Sequence, residues 1–113
     1  MAMTHYMNLK KSPFEMIKNR HKTIELRLWD EKRSLININD EIIFSCGEET
    51  LTAKVLALHR FESFEALYES LDLLKCGYLP EELKTAKADD MNIYYSLEKQ
   101  QKFGVVGIEI QII

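Results

Sequence analysis

Cysteine, proline and glycine are scarce in this chain of 113 residues, which contains two, two and four of them. Cys46 and Cys76 do not form a CxxC pair, so neither a disulfide framework nor a metal site is expected, and we interpret both as reduced thiols of the cytoplasm. No Gly-rich loop joins a strand to a helix. This excludes the phosphate cradles of Rossmann and P-loop nucleotide sites.

Long apolar runs are missing as well. None approaches the roughly 20 residues that span a membrane, and no basic region followed by an apolar stretch predicts a signal peptide. A hydrophobic fraction of 46% and a charged fraction of 29% are typical of globular proteins. We therefore expect one cytoplasmic domain over residues 1–113, with no membrane anchor and a sizeable core. The sequence gives no oligomeric state.

The net charge of −3 does not indicate nucleic-acid binding, but the charges are unevenly distributed. Residues 1–34 carry eight Lys and Arg against four acids, whereas residues 35–113 carry seven against fourteen. A basic first third is compatible with a local site for phosphate or RNA. Alternatively, the two sets of charges intermingle in the folded protein, and the asymmetry then has no meaning.

Apolar periodicity and turn signals predict the element order β-α-β-β-β-α-α-α-β. The strands are predicted at residues 5–9, 23–28, 41–46, 51–61 and 105–112. Ser12 is predicted to cap the first helix, and Asn19 to end it in a left-handed conformation. Ser63 and Ser96 are predicted to begin later helices, and Gly104 to end the last one. Few, mostly antiparallel strands predict an α+β fold, a small and partly open β-barrel with flanking helices.

Charge and strand periodicity coincide at the second predicted strand. Glu25 and Arg27 alternate there with apolar residues, as in a half-buried strand. Lys22 precedes the strand and by alternation starts on the opposite face, although a twist or bulge would bring it round. Arg suits phosphate or carboxylate, Glu accepts from amines or moves protons, and Lys is a point charge or nucleophile. The cluster is either a surface ion-pair ladder or the floor of a site for a polar, anionic ligand.

Tyr94 and Tyr95 are the second candidates. Adjacent tyrosines point in different directions, so at most one packs in the core while the other faces a groove, where it could stack on a nucleobase. The sequence does not decide which one does so. We interpret Trp29 as a hydrophobic plug rather than a stacking surface.

The end of the strand predicted at residues 51–61 is charged. Strict alternation sets Ala57 and His59 on the same side as Val55. Arg60 follows, placed where it could return towards the basic cluster. The histidines are scattered along the chain, and no metal site is predicted from them.

Three residues carry a resemblance to a known family through their order and spacing: Lys22, Glu25 and Arg27. The chain resembles the ASCH domain family, whose motif has glycine where this chain has Arg20, so Asn19 is expected to supply the turn. Residues 39–44 resemble the family's next turn and strand, with asparagine for glycine, and residues 94–110 resemble its closing helix and strand. The resemblance covers nearly the whole chain.

The resemblance implies a PUA-like β-barrel with a cleft for RNA or a nucleotide, floored by the motif. Some members of the family resemble nucleases or N4-acetylcytidine amidohydrolases. In the amidohydrolase branch the catalytic lysine corresponds to Lys22. That branch has threonine where this chain has Glu25.

Three function classes remain, none requiring a cofactor. In the leading hypothesis Lys22 and Arg27 hold phosphate or a base edge of RNA or a nucleotide, and Glu25 accepts from an exocyclic amine. The alternative is an amidohydrolase acting on an acylated nucleoside such as N4-acetylcytidine, with Lys22 as nucleophile or base and Glu25 as its acid/base partner. A Lys22 that is buried beside Glu25 and has a lowered pKa favours this alternative, and a solvated one opposes it. A protein-interaction module instead predicts a sizeable exposed apolar patch and no concave polar site.

Overall fold

The computed structural model describes residues 2–113, so Met1, the first residue of the predicted domain, lies outside it. The strands are β1 (Thr4–Asn8), β2 (Ile24–Leu28), β3 (Glu41–Cys46), β4 (Glu49–Phe61) and β5 (Val105–Ile112). The helices are α1 (Lys11–Lys18), α2 (Phe64–Ser70) and α3 (Leu97–Phe103), with 3-10 helices at Arg33–Leu35, Pro80–Glu82 and Ala88–Ile93. In the part of the chain that is described, no helix is long and apolar enough to cross a membrane.

The strands form a sheet in the order β1-β3-β4-β5-β2, in which only the β1–β3 pair is parallel. The predicted α+β class with mostly antiparallel strands is therefore confirmed. The sheet is a half-barrel rather than a closed barrel, because β1 and β2 are its two edges and are not paired across residues 2–113. A side chain spans the gap instead, since Arg27 Nη2 donates to the carbonyl oxygen of Asn8 at 3.1 Å.

Each face of the sheet covers its own apolar cluster. On the concave face, Phe14 and Ile17 of α1 pack with residues of the central strands such as Phe44 and Ile108. On the convex face, α2 packs against the apolar residues of β2. β5 contributes Val106, Ile108 and Ile110 to the first cluster and only Val105 to the second. From Val106 onward its apolar residues alternate with Gly107, Glu109 and Gln111, as expected for a strand with one face in a core.

The helix ends test the predicted caps. Ser63 Oγ accepts from the amide of Ala66, and Ser96 Oγ accepts from the amide of Lys99, each at 3.2 Å, so both predicted caps are confirmed. Gly104 ends α3 with a φ of +71°, as predicted. A short polar side chain before an apolar segment was sufficient to locate these two helix starts.

Two predictions about α1 are wrong. The helix begins at Lys11, so Ser12 lies inside its first turn and does not cap it. Asn19 has a φ of −88°, and Arg20 takes the left-handed conformation with a φ of +68°. Asn19 still contributes to this turn, because its side-chain oxygen accepts from the amide of His21 at 2.9 Å.

Strict alternation along β4 is also wrong after Val55. The pairing with β5 shifts between Val55 and Ala57, which is a β-bulge. The extra residue reverses the alternation, so Leu58 packs on the concave cluster, while Ala57 and His59 face the convex side. Arg60, two residues after Leu58, therefore belongs to the concave face.

Candidate functional site

β2 presents its polar side chains to a cleft instead of to solvent. The cleft has a volume of about 750 Å³ and lies between α1, β2 and the segment of residues 76–95. Glu25 in the middle of β2 is only 4% exposed. Of the two alternatives, the surface ion-pair ladder does not fit side chains buried to this degree, and the cluster lines the cleft.

Lys22, Glu25 and Arg27 form a connected triad. Lys22 Nζ lies 2.8 Å from Glu25 Oε1, and Arg27 Nε donates to Glu25 Oε2 at 2.8 Å. The three side chains are 11%, 5% and 14% exposed. Two cations share one carboxylate, so the triad carries a formal excess of one positive charge.

The chain entering β2 brings Lys22 to the same side as Glu25. Lys22 precedes the first residue of the strand, and its amide donates to the carbonyl oxygen of Met16 at 3.0 Å, so strand alternation does not apply to it. Gly77 leaves room for its side chain. A Cβ on Gly77 would lie 3.1 Å from Lys22 Cδ, and the φ of +106° at Gly77 favours glycine.

The side chain of Glu25 is ionised in the triad. Burial acts to raise the pKa of its carboxyl group, but the charges of Lys22 and Arg27 and their hydrogen bonds outweigh burial and lower that pKa below its usual range. An ionised Glu25 holds both cations in place. It can also accept a proton.

Two tyrosines and an aspartate form a hydrogen-bonded chain in the cleft wall. The hydroxyl groups of Tyr68 and Tyr78 are 2.7 Å apart, and Tyr78 OH donates to Asp90 Oδ2 at 2.8 Å. Burial and these two contacts raise the pKa of Tyr78, so its hydroxyl stays protonated as a donor. The sequence did not reveal this chain, because the irregular segment around Tyr78 and Asp90 has no periodicity that would bring them together.

Tyr94 and Tyr95 both line the cleft. Tyr95 is half-buried and stacks on Phe64, with ring centroids 6.1 Å apart and planes inclined by 19°. Tyr94 is 58% exposed. The two tyrosines differ in exposure, and the half-buried Tyr95 lines the cleft as well as Tyr94.

The cleft is not uniformly basic. Three cations and four carboxylates line it: Lys10, Lys22, Arg27, Glu25, Glu82, Asp89 and Asp90. Basic residues from the first third of the chain meet acidic residues from the remainder, so the two sets intermingle here. Such a lining suits a ligand with both donors and acceptors better than a polyanion.

The histidines lie apart from one another and carry other contacts. His5 Nε2 lies 2.8 Å from Asp40 Oδ2, and His59 Nε2 lies 2.9 Å from Glu109 Oε1. His21 Nε2 is 3.3 Å from the carbonyl oxygen of Tyr78 beside the cleft. Within residues 2–113 no three His, Cys, Asp or Glu side chains converge as metal ligands would.

Comparisons with known proteins give consistent matches. A family model described as "ASCH domain" matches residues 7–113. The crystal structure of the hypothetical protein PH0355 is similar, with 34% identity, a TM-score of 0.83, and coverage of 98% of this chain and 100% of that one. The solution NMR structure of protein PF0455 from Pyrococcus furiosus has 36% identity, a TM-score of 0.72, and coverage of 98% of each chain. No curated protein matches the chain.

Proposed function

We propose, from the premise that this chain belongs to the ASCH domain family, that it binds RNA or a nucleotide in the cleft. The proposal includes a PUA-like fold for the half-barrel, a single domain over residues 1–113 and a cytoplasmic location. One observation carries the proposed binding. A largely buried triad of Lys22, Glu25 and Arg27 lines a cleft of about 750 Å³, a volume within the usual range for small-ligand sites.

Lys22 and Arg27 are the ligand-binding groups in this proposal. An ammonium has three N–H donors and a guanidinium has five. Glu25 and Asn8 take only some of them, so the remaining donors are available for phosphate or for the acceptor edge of a base.

Glu25 acts chiefly by positioning the two cations. Each of its oxygens already faces one cation, and the side chain is only 5% exposed. The exocyclic amine of a base is better served by the carboxylates of Asp89 and Asp90, which line the same cleft. Mixed donors and acceptors favour a nucleobase inside the cleft, with its phosphate towards the outside.

Tyr94 and Tyr95 supply aromatic surface next to these polar groups. Stacking of a base on an aromatic ring is worth about 1–3 kcal/mol and tolerates any base. Tyr94 is the better stacking residue, because it is an exposed residue while Tyr95 is held against Phe64. Replacing Tyr94 by leucine should weaken binding more than the same change at the exposed Ile93 nearby.

Calorimetric titration with single-stranded RNA and with nucleosides at low salt tests this proposal. Arg27→Gln should lower affinity about tenfold or more, because it removes charge-assisted hydrogen bonds. Lys18→Gln is the matched control, since it removes a cation that pairs with Glu49 on the surface, away from the cleft. Absence of binding by the unchanged protein, or equal binding by the Arg27 variant, would overturn the proposal.

A second candidate is hydrolysis of an acylated nucleoside such as N4-acetylcytidine. The contact of 2.8 Å between Lys22 and Glu25 supports it, because the largely buried Lys22 lies directly beside the carboxylate that would serve as its acid/base partner. Chromatography would follow the release of cytidine. Turnover that disappears in Lys22→Ala supports this activity, and binding without turnover leaves only the first proposal.

A further inference from the structure

We propose that Trp29 and Arg60 form a second binding position for a nucleobase and its phosphate, next to the cleft. The inference rests on the proposed function. It specifies the ligand as single-stranded RNA of at least two nucleotides. One base would occupy the cleft, and the strand would continue over the edge of the concave face onto Arg60.

The sheet register aligns this second position with the cleft. Arg27 pairs with Val106, and Val106 pairs with Arg60, so the three residues form one row across β2, β5 and β4. Directly paired residues project from the same face of a sheet. With a strand spacing of about 4.8 Å, the Cα atoms of the two arginines are roughly 10 Å apart. The bulge after Val55 sets Arg60 on this face.

Trp29 supports the second position from below. It follows β2 directly, its amide donates to the carbonyl oxygen of Gly104 at 3.0 Å, and its ring packs on the edge of the concave cluster. The guanidinium carbon of Arg60 lies 4.6 Å from the centroid of that ring. Trp29 is therefore not only a plug, because it holds the guanidinium of Arg60 over its ring in a cation–π contact.

The N–H donors of the Arg60 side chain are available to a ligand. Its side chain makes no ion pair or hydrogen bond within residues 2–113, and the residue is exposed. A guanidinium stacked on an aromatic ring can offer its other face to a base and its N–H groups to a phosphate. This combination of stacking and charge is what single-stranded nucleic acids require.

The surrounding groove has a more positive lining than the cleft. It encloses about 930 Å³, and its charged residues are Arg60, Lys102 and Glu62. Two cations face one carboxylate here, whereas carboxylates outnumber cations in the cleft. A phosphate is therefore better placed in the groove, and a base edge in the cleft.

The test uses a cytidine hexanucleotide RNA and cytidine monophosphate as probes. Trp29 is the single tryptophan of the chain, so its fluorescence reports directly on the second position. We expect the hexanucleotide to quench this fluorescence, and the monophosphate to bind the cleft without quenching it. Arg60→Ala should weaken hexanucleotide binding at least about fivefold and leave monophosphate binding unchanged.

Two lysines of α3 supply the matched pair of variants. Lys102 lines the groove and Lys99 does not. Lys102→Ala should weaken hexanucleotide binding and reduce its dependence on salt, because one phosphate contact is lost. Lys99→Ala, which removes the same charge one turn away, should change neither.

Failure of the second position and failure of the proposed function would give different results. If the hexanucleotide binds the unchanged protein and Arg60→Ala equally, without quenching Trp29, the second position is wrong while binding in the cleft stands. If neither probe binds the unchanged protein, the proposed function fails and this inference fails with it. Thermal melting shows whether each variant is folded, and Arg60→Lys should restore only the salt-dependent part of the affinity.

Discussion

Glu25 and Asp40 are two buried carboxylates with different partners. They are 4% and 3% exposed. Asp40 accepts from the backbone amides of Met3 and Asn37 at 3.0 and 2.9 Å, and contacts His5 at 2.8 Å. Its hydrogen bonds fasten the beginning of β1 to the turn before β3.

Glu25, in contrast, is satisfied by the side chains of Lys22 and Arg27. A backbone amide has one N–H, so the amides that bind Asp40 have nothing left for a ligand. An ammonium or a guanidinium keeps further donors after it has paired. The kind of partner, and not burial, therefore separates a carboxylate that fixes a turn from one that holds two cations with further donors beside a cleft.

Removing Glu25 should have the largest effect on stability. Glu25→Ala leaves Lys22 and Arg27 mostly buried without a counter-charge, and loss of one member of a buried ion pair costs about 3–5 kcal/mol. Denaturant unfolding measures the change. The triple variant Lys22→Met, Glu25→Leu, Arg27→Met removes all three charges and should recover most of that stability without recovering ligand binding. If Glu25→Ala is as stable as the unchanged protein, the triad is not the buried network described.

Asp40→Asn should have a smaller effect on stability and none on ligand affinity. An amide cannot accept from Met3, Asn37 and His5 together, and an unsatisfied buried polar group costs about 1–3 kcal/mol. Binding should not change, because Asp40 does not line the cleft. A loss of affinity in this folded variant would break the comparison with Glu25.

The unchanged protein and Asp40→Asn should also differ in how their stability depends on pH. Hydrogen bonds from the amide of Met3, from His5 and from the amide of Asn37 lower the pKa of Asp40 to about 2 from 3.8. A lowered folded-state pKa stabilises the protein above the unfolded-state value and ceases to do so as pH falls through the folded-state value. The stability difference between the unchanged protein and Asp40→Asn should therefore narrow between pH 4 and pH 2, as followed by thermal melting.

Replacing Arg20 or Asn39 by glycine should have the smallest effects on stability. Arg20 precedes Lys22 with a φ of +68°, and Asn39 precedes Asp40 with a φ of +78°. Arginine adopts this conformation at a higher free-energy cost than asparagine, so Arg20→Gly should stabilise the protein by about 0.5–1 kcal/mol. Asn39→Gly should change stability by less than about 0.5 kcal/mol. Equal changes in unfolding midpoint would contradict this difference.

Much of the fold was predictable where local chemistry determines it. The caps at Ser63 and Ser96, the end of α3 at Gly104 and the apolar strand β5 all follow from short-range rules. The left-handed residue after α1 was assigned to Asn19 instead of Arg20, because propensity favours asparagine while the chain path requires the conformation one residue later. The bulge in β4 has no local signature, and it changed the facing of every later residue in that strand.

Some residues of the candidate site were likewise predictable from local sequence, and others were not. Lys22, Glu25 and Arg27 were selected from the sequence, because a charged pair on an apolar strand is visible as a pattern. Tyr78 and Asp90 were not selected, because they come together only through an irregular segment. Arg60 was noted as a residue that could return towards the cluster, and the sheet register sets it in one row with Arg27.

The sequence predicts the strand with charge on one side, most helix ends and the residues of the triad, since each depends on chemistry within a few positions. The three-dimensional fold was needed to show that this charged side is buried, that Lys22 reaches Glu25, and that Arg60 faces the same side as Arg27. Burial and facing depend on which distant segments pack and on where a strand slips by one residue. Those outcomes are set by the free energy of the whole fold and not by any local stretch of the chain.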